Sequence, residues 1–521
     1  MMISCISSLR YCNRKDDFLN KFIDTNKFND SRISYSEIQQ VRNYDIPYFY
    51  INGESDIVKD IFDNEVYQLN DYPSALINKQ IDCFSTDDLK IQKNYIEFIF
   101  NVYEQLIQSK ISYYNLSKYD TCLKNNISID RVIEIIKNKL FENIVISEDH
   151  TVNWLDFSIG ESDGIEFNFV DSGLYKGLSG IGISLIELFR YNHDNNILQL
   201  IKLIKNSIVI DLNDLSYFNG ISGQLYFLVQ YCKYIENVDA DIDNLFMKLY
   251  DARDNLYNYG VDIVSGVSGI ILFIFFNKEY FLDRSKEVKE ILYICGKVLE
   301  NKFDDNLCIF KQGDNYLDNC SFAHGNSGVL VALKVLNIEL NNDKYDSIFQ
   351  KSLSYEKNMI LNDGWIDNRR KDNQSSANWC HGSTGILVSR LLLLSLHKKY
   401  EILNDNAIRQ ILCDIDHAIE NILNLTITMS SASLCHGIIG NILILDYVKV
   451  IDKDIYKKYN LNSKIQNIYD KFVKYLYDNE YKIDFSNKGI NANGIMCGLS
   501  GILYGILKLQ NKDKDNILFC K

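Results

Sequence analysis

Positive charge is in deficit in this chain of 521 residues: 55 Lys and Arg face 69 Asp and Glu, a net charge of −14. Proteins that bind nucleic acid by neutralising phosphates need the opposite balance, so nucleic acid is not an expected partner. A cationic peptide would not be repelled. Long apolar runs are missing as well. The longest, GIILFIFF (269–276), is far short of the roughly 20 residues that span a bilayer. The opening MMISCISSLRYCNRKDDF meets charge too early to act as a secretory signal. The 13 cysteines are an odd number, scattered, with no short-spaced framework. That pattern fits reduced thiols in a cytoplasmic protein, mostly small buried hydrophobes unless a metal claims some. Before residue 123 there is no glycine-rich phosphate loop and no catalytic Asp/Asn set, so ATP-dependent phosphorylation or elimination is not expected of this chain. Histidine is scarce, at seven, and the two prolines are Pro47 and Pro73.

What the chain does have is a repeat. Glycine, two residues, glycine and an apolar run recur in GLSGIGISLIELF (177–189), GISGQLYFLVQYC (220–232), GVSGIILFIFF (266–276) and GNSGVLVALKVL (325–336). The pattern returns in GSTGILVSRLLLLSL (382–396), GIIGNILILDYV (437–448) and GLSGILYGILKL (498–509). The first glycines lie 43, 46, 59, 57, 55 and 61 residues apart. One G-x-x-G means little, but seven at a near-steady period mark a repeat architecture. The spacing predicts one helical hairpin per repeat. The runs after the glycines are apolar nearly all round, as in helices buried on every side. Between them lie amphipathic stretches such as RSKEVKEILYICGKVLENKF (284–303), with Val288, Ile291, Leu292, Cys295 and Val298 at helical spacing. Seven inner and seven outer helices could stack as an open solenoid or close into an α/α toroid. Closure would gather the glycine turns at one end, where the backbone can approach a central site and helix N-termini add a positive field. Residues 1–122 lack the repeat and read as a mixed, mainly helical segment ending in a polar linker near NLSKYDTCLKNN (115–126). A helix is expected from Ser128 as N-cap, with Ile129, Val132, Ile133, Ile136 and Leu140 on one face.

Chemistry concentrates in the repeat turns. His324 (FAHG), His381 (WCHG) and His436 (LCHG) each precede the first glycine of a repeat, and Cys380 and Cys435 precede two of them. A single Cys-His pair is ordinarily a buried thiol beside a hydrogen-bonded imidazole. Two pairs in register, with a third histidine in the same slot, point instead to a metal. Two thiolates and an imidazole suit Zn²⁺ and leave its fourth position open. A closed site of Cys380, His381, Cys435 and His436 would ask adjacent residues to reach one tetrahedral ion, which strains them. Two thiolates already cancel the Zn²⁺ charge, so activation of an incoming sulfur is favoured over activation of water. Proton handling then needs an acid/base, for which His324 is the candidate. Asp262, four residues before Gly266 in VDIVSGVSG, could orient a histidine, hold substrate or cap a turn. His150, His193, His397 and His417 fall outside these slots and read as ordinary residues.

The ordered set AHG, WCHG and CHG on repeated G-x-x-G helices resembles the lanthionine synthetase C-like cyclases, over residues 123–521. LCHGIIGN, the closing GIMCGLSGILYGILKL (494–509) and LYKGLSGIGI (174–183) are most similar to the C-terminal cyclase half of class II lanthipeptide synthetases of the LanM type. DIPYFY (45–50) resembles a segment near the end of their dehydratase domain, so residues 1–122 are expected to be the tail of one plus a linker. The resemblance implies an α/α toroid with one central Zn²⁺ per chain, held by Cys380, Cys435 and His436. It implies addition of precursor-peptide cysteines to dehydroalanine or dehydrobutyrine, giving thioether rings in lantibiotic biosynthesis. His324 would be the acid/base, Asp262 would match an acidic position, and His381 would stand at the pocket rim. The implied partner is a dehydrated precursor peptide, leader plus core. A separate dehydratase or the missing upstream part, and loose membrane or transporter association, are further partners it admits. The alternatives are a non-catalytic peptide-binding remnant or subunit of a split synthetase, and a toroid glycosidase. The second needs two carboxylates across a cleft, whereas thiols and imidazoles dominate these turns.

Overall fold

The computed structural model describes residues 31–42, 47–82, 85–108, 116, 128–147, 149–159, 165–313, 315–361, 364–368, 375–428, 431–478, 492–510 and 515–521. Two compact units divide at Asn94/Tyr95. The first holds α1 (Ser31–Arg42), an antiparallel sheet of β1 (Phe49–Tyr50), β2 (Ile57–Asp60) and β3 (Glu65–Gln68), and α2 (Pro73–Asp82). Asp60 ties it together: one carboxylate oxygen accepts from the Phe62 and Asn64 N–H groups in the β2–β3 turn, and the other accepts from Ser36 Oγ at 2.6 Å. Within DIPYFY, Phe49 and Tyr50 form β1, while Asp45 and Ile46 lie outside the described residues. Of the expected linker, 115–126, only Leu116 is described. Helix α3 (Thr86–Gln108) runs across the division.

The second unit is a ring of helical hairpins. Its inner helices are α5 (Leu178–Asn192), α7 (Ile221–Tyr234), α9 (Val267–Phe276), α11 (Asn326–Glu339), α13 (Ser383–Tyr400), α15 (Ile438–Ile451) and α18 (Leu499–Gln510). Each begins directly after the first glycine of a repeat. Each packs on the next, and α18 packs back on α5, which closes the toroid. The outer helices α6 (Asn195–Ser207), α8 (Asp239–Asp251), α10 (Ser285–Lys302), α12 (Asp346–Asn358), α14 (Asp405–Thr426) and the pair α16 (Lys453–Lys458) and α17 (Leu461–Asp478) each follow and cover the inner helix before them. The seventh hairpin breaks that order. Its outer helix is α4 (Ile129–Phe141), which packs on α18. Chain segments far apart in sequence therefore seal the ring.

Burial follows residue pattern. In α9 every residue but Phe276 is buried, whereas α10 buries Val288, Ile291, Leu292, Cys295 and Val298 with their helical neighbours and buries none of its charges. Helix α4 likewise buries Val132, Ile133, Ile136 and Leu140. Ser128 is its N-cap by backbone, but its side chain accepts no capping hydrogen bond; the hydroxyl donates to Asp130 (3.4 Å). Short antiparallel hairpins break the all-helical pattern: β4 (Ile144–Ile146), β5 (Val152–Ile159) and β6 (Ile165–Phe169) before α5, then β7 (Phe303–Asp304), β8 (Ile309–Gln312) and β9 (Asn315–Tyr316), and β10 (Ile360–Leu361) with β11 (Gly364–Trp365). Among the described residues no helix is long and apolar enough to cross a membrane.

The turns before the inner helices are stitched into a rim. Numbered one to seven along the chain, each bonds to the next. Tyr175 N–H donates to the Phe218 carbonyl (2.7 Å), Phe218 N–H to Val264 (3.2 Å) and Ile263 N–H to Ala323 (3.1 Å). Ser321 Oγ donates to the Cys380 carbonyl (2.6 Å). Trp379 N–H donates to Cys435 (2.9 Å), Cys435 N–H to Met496 (2.9 Å) and Met496 N–H back to Tyr175 (3.1 Å). Buried backbone groups that find each other this way fix the height and direction of every side chain on the rim.

Candidate metal centre

Rim chemistry depends on what stands one and two residues before each first glycine. The nearer slot holds Lys176, Asn219, Ser265, His324, His381, His436 and Cys497; the farther holds Tyr175, Phe218, Val264, Ala323, Cys380, Cys435 and Met496. Turns five, six, seven and one thus bring sulfur, imidazole and phenol together. One ligand atom each from Cys380, Cys435 and His436 lie within 4.8 Å of one another, so this group could hold a metal ion. Both cysteines are buried. The Tyr175 hydroxyl donates to Cys435 Sγ at 3.1 Å and stands 3.4 Å from Cys497 Sγ, which is itself 4.0 Å from His436 Nδ1.

Local sequence explains the posture of turn five. Gly382 has φ +108°, and a Cβ there would meet the Ser376 carbonyl oxygen at 2.0 Å, so the turn requires glycine. That conformation lets Ser376 Oγ (2.7 Å) and Asn378 N–H (3.1 Å) both reach the His381 carbonyl. Trp379, fully buried against Phe218 and Phe322, donates its indole N–H to the Leu518 carbonyl at 3.0 Å. Cys380 is thereby clamped between an anchored tryptophan and a glycine-only bend.

The cluster is electrically tuned for a cation. A hydrogen bond from Cys435 pulls the Cys380 thiol down to about 5 against the penalty of burial, with His436 adding to the effect. Burial disfavours a charged His436, yet hydrogen bonds to Cys380 and Cys497 hold it up at about 10. Cys435 is pushed well above the usual thiol range by its hydrogen bonds to Cys380 and Cys497 and by burial. Burial and the neighbouring Cys435 raise Tyr175, which stays a donor. The lowered Cys380 thiol and the raised His436 ring both favour a thiolate beside a protonated imidazole, and a divalent cation bound there would displace protons.

Asp262 and His324 form a second group on turns three and four. Asp262 Oδ2 lies 2.9 Å from His324 Nδ1, and its other oxygen accepts from Ser265 N–H (2.9 Å) and Ser265 Oγ (3.2 Å). The carboxylate can only accept, so Nδ1 carries the proton and Nε2 is the basic nitrogen. Asp262 is buried, whereas the His324 side chain is 36% exposed, open enough to meet a substrate. His381 stacks on His324 with ring centroids 5.4 Å apart, tilted 26°. It belongs with His324, outside the three-residue metal group. The other histidines stand apart: His193 ends α5, His397 Nδ1 accepts from Leu403 N–H, and His417 meets the Leu361 carbonyl.

Two rim residues were not singled out from the sequence, Cys497 and Tyr175. The repeat register carried the signal: Cys497 fills the slot of His436, and Tyr175 fills that of Cys380 and Cys435.

A profile of the family described as lanthionine synthetase C-like protein matches residues 168–521. The lacticin 481/lactococcin biosynthesis protein LcnDR2 of Lactococcus lactis subsp. lactis is 26% identical over 530 residues, covering 99% of this chain; the chain spans about half (55%) of that protein's length. Among solved structures, nisin cyclase is similar at 18% identity and a TM-score of 0.47, covering 73% of this chain and 93% of that one. A possible member of the GH105 family from Salmonella enterica subsp. enterica serovar Paratyphi A is similar at 11% identity and a TM-score of 0.33, covering 68% of this chain and 96% of that one.

Proposed function

The chain belongs to the lanthionine synthetase C-like family, and on that premise we propose that it is a zinc-dependent cyclase that joins cysteine thiols to dehydroalanine or dehydrobutyrine of a precursor peptide. The observation that carries the reading is the meeting of Cys380, Cys435 and His436 on consecutive turns, beside a histidine held by a buried carboxylate. Zinc fits that donor set. Bonds of about 2.3 Å to sulfur and 2.0–2.1 Å to nitrogen place tetrahedral donors roughly 3.5–3.8 Å apart, so atoms already within 4.8 Å need only a small contraction. When bound, zinc lowers the pKa of an incoming thiol and presents it as a thiolate.

The chain's own residues then manage protons and position. The substrate sulfur bonds to Cβ of the dehydro residue, the C=C electron pair moves to give an enolate, and Cα takes a proton. His324 is the acid/base at that step, acting through Nε2. Asp262 fixes its tautomer and stabilises the imidazolium. The His381 ring restrains the His324 ring by stacking, and Tyr175 steadies the Cys435 sulfur. In the same reading, residues 123–521 are the cyclase and 1–122 are the end of a dehydratase region with its linker. The substrate is a dehydrated precursor peptide, leader plus core. Free thiols are required, and each of the nine cysteines described is unpaired, as suits the cytoplasm.

Metal analysis of the purified protein tests this. About one zinc per chain is expected, lost in Cys380→Ala and in Cys435→Ala. A zinc-free wild type, or zinc indifferent to both substitutions, would overturn the metal assignment.

A further inference from the structure

The three-ligand reading leaves one neighbouring sulfur unused. Cys497 stands on turn seven, in the slot that holds His436 on turn six. Its Sγ is 4.0 Å from His436 Nδ1, near the roughly 3.5 Å that separates sulfur and nitrogen donors on one tetrahedral zinc. Tyr175 Oη is 3.1 Å from Cys435 Sγ and 3.4 Å from Cys497 Sγ, so a single phenol gathers both sulfurs. The backbone bonds Cys435 N–H to Met496 and Met496 N–H to Tyr175 hold turns six, seven and one in that arrangement. Cys497 stands just outside the group of Cys380, Cys435 and His436, whose ligand atoms all lie within 4.8 Å of one another.

We propose that Cys497 is the fourth ligand of the bound metal in the resting protein, and the ligand that an incoming cysteine replaces. The inference rests on the zinc reading above. A sulfur fixed this close competes with solvent at a high effective concentration, so the fourth position is closed until substrate arrives. Of the three sulfurs, Cys497 is the one that leaves, since Cys380 and Cys435 belong with His436 to the tight group and Cys497 stands outside it. The exchange balances. One metal–sulfur bond forms as another breaks, the proton of the incoming thiol passes to the departing Cys497 sulfur, and net charge and donor number are unchanged. A solvent-filled fourth position would instead lose a water and shed the thiol proton to the medium. The pocket therefore rejects weak donors at rest and admits a thiol by like-for-like exchange.

Cobalt(II) in place of zinc gives a direct readout, because thiolate-to-cobalt absorption reports the number of bound sulfurs. The wild type is expected to show three, and Cys497→Ala to lose about one third of that intensity while still binding one cobalt per chain. Adding N-acetylcysteine is expected to leave the wild-type intensity unchanged and to restore the missing third in Cys497→Ala. Equal intensity in the two apo-reconstituted proteins would overturn the proposal, as would a thiol-induced gain of one third in the wild type. Cys380→Ala and Cys435→Ala separate the two readings. If they bind no cobalt while Cys497→Ala is indistinguishable from wild type, the zinc site stands and only the fourth ligand falls. If they bind cobalt like wild type, the site itself is wrong.

Discussion

Replacing Asp262 with Asn reverses one hydrogen bond and leaves the rest of the turn in place. The Asn carbonyl can still accept from Ser265 N–H and Oγ, as Asp262 Oδ1 does. The amide group facing His324 Nδ1, now 2.9 Å from a carboxylate oxygen, can only donate. His324 must then accept at Nδ1 and carry its proton on Nε2, the wrong tautomer for a base. The lost charge-assisted bond to the imidazolium is worth about 1.5–3 kcal/mol, or roughly 10–150-fold at 1.36 kcal/mol per decade. The tautomer penalty adds to that. Loss of all acid/base help, about 10²–10⁴-fold, sets the ceiling, and His324→Ala should reach it. We expect Asp262→Asn to slow cyclisation by about 10²-fold with zinc content unchanged. Thioether formation alters no mass, so the assay alkylates remaining thiols with N-ethylmaleimide and counts adducts by mass spectrometry. A variant within about threefold of wild type, a barrier change under ~1 kcal/mol, would refute the Asp262–His324 argument. Loss of zinc in Asp262→Asn would also refute it, since it would make Asp262 a support of the metal centre instead.

Gly382→Ala forces a side chain into a φ of +108° and a Cβ to 2.0 Å from the Ser376 oxygen; it should cost about 1–3 kcal/mol or more in urea denaturation and lower zinc content by displacing Cys380, and an unchanged midpoint would contradict the reading of that bend. Arg390, fully buried on α13, donates to Glu356 (2.6 Å) and Asp414 (2.8 Å). Arg390→Met strands two buried carboxylates, an expected loss of about 3–5 kcal/mol visible as a lower urea midpoint. Metal affinity should rise with pH: His436 is held at about 10 and Cys435 above the usual thiol range, so both are protonated near neutrality and must deprotonate to bind. Uptake should release about two protons per ion, measured by calorimetry in buffers of different ionisation enthalpy, and uptake without proton release would contradict it.

The ring was legible because its signals are redundant. Each inner helix announces itself twice, by its glycines and by a run such as VSGIILFIFF that no surface could tolerate. Closure was legible through the family resemblance but not from the repeat itself, because it depends on α4 finding α18 and on Met496 N–H reaching the Tyr175 carbonyl, contacts more than 300 residues apart that leave no local pattern. The short hairpins were missed for a related reason: β4 to β6 sit outside the repeat, and alternation over so few residues is weak against helical background. Cys380, Cys435 and His436 stood out by residue type in a repeated slot. Cys497 occupies the slot of His436, but with no histidine beside it reads as another small hydrophobe. Tyr175 reads as core until turn one is seen to follow turn seven.

That adjacency has an energetic consequence. Cys380 and Cys435 are separated by 55 residues of chain, and a cation held by both closes that loop as a cross-link would. The rim bonds from Trp379 to Cys435, from Cys435 to Met496 and from Met496 to Tyr175 already lie along the line such a cation would reinforce. A bound metal and ring closure would therefore stabilise each other, since each orders the turns the other needs. A fold built this way places its reactive groups on turns whose backbone is hydrogen-bonded from one to the next around the rim.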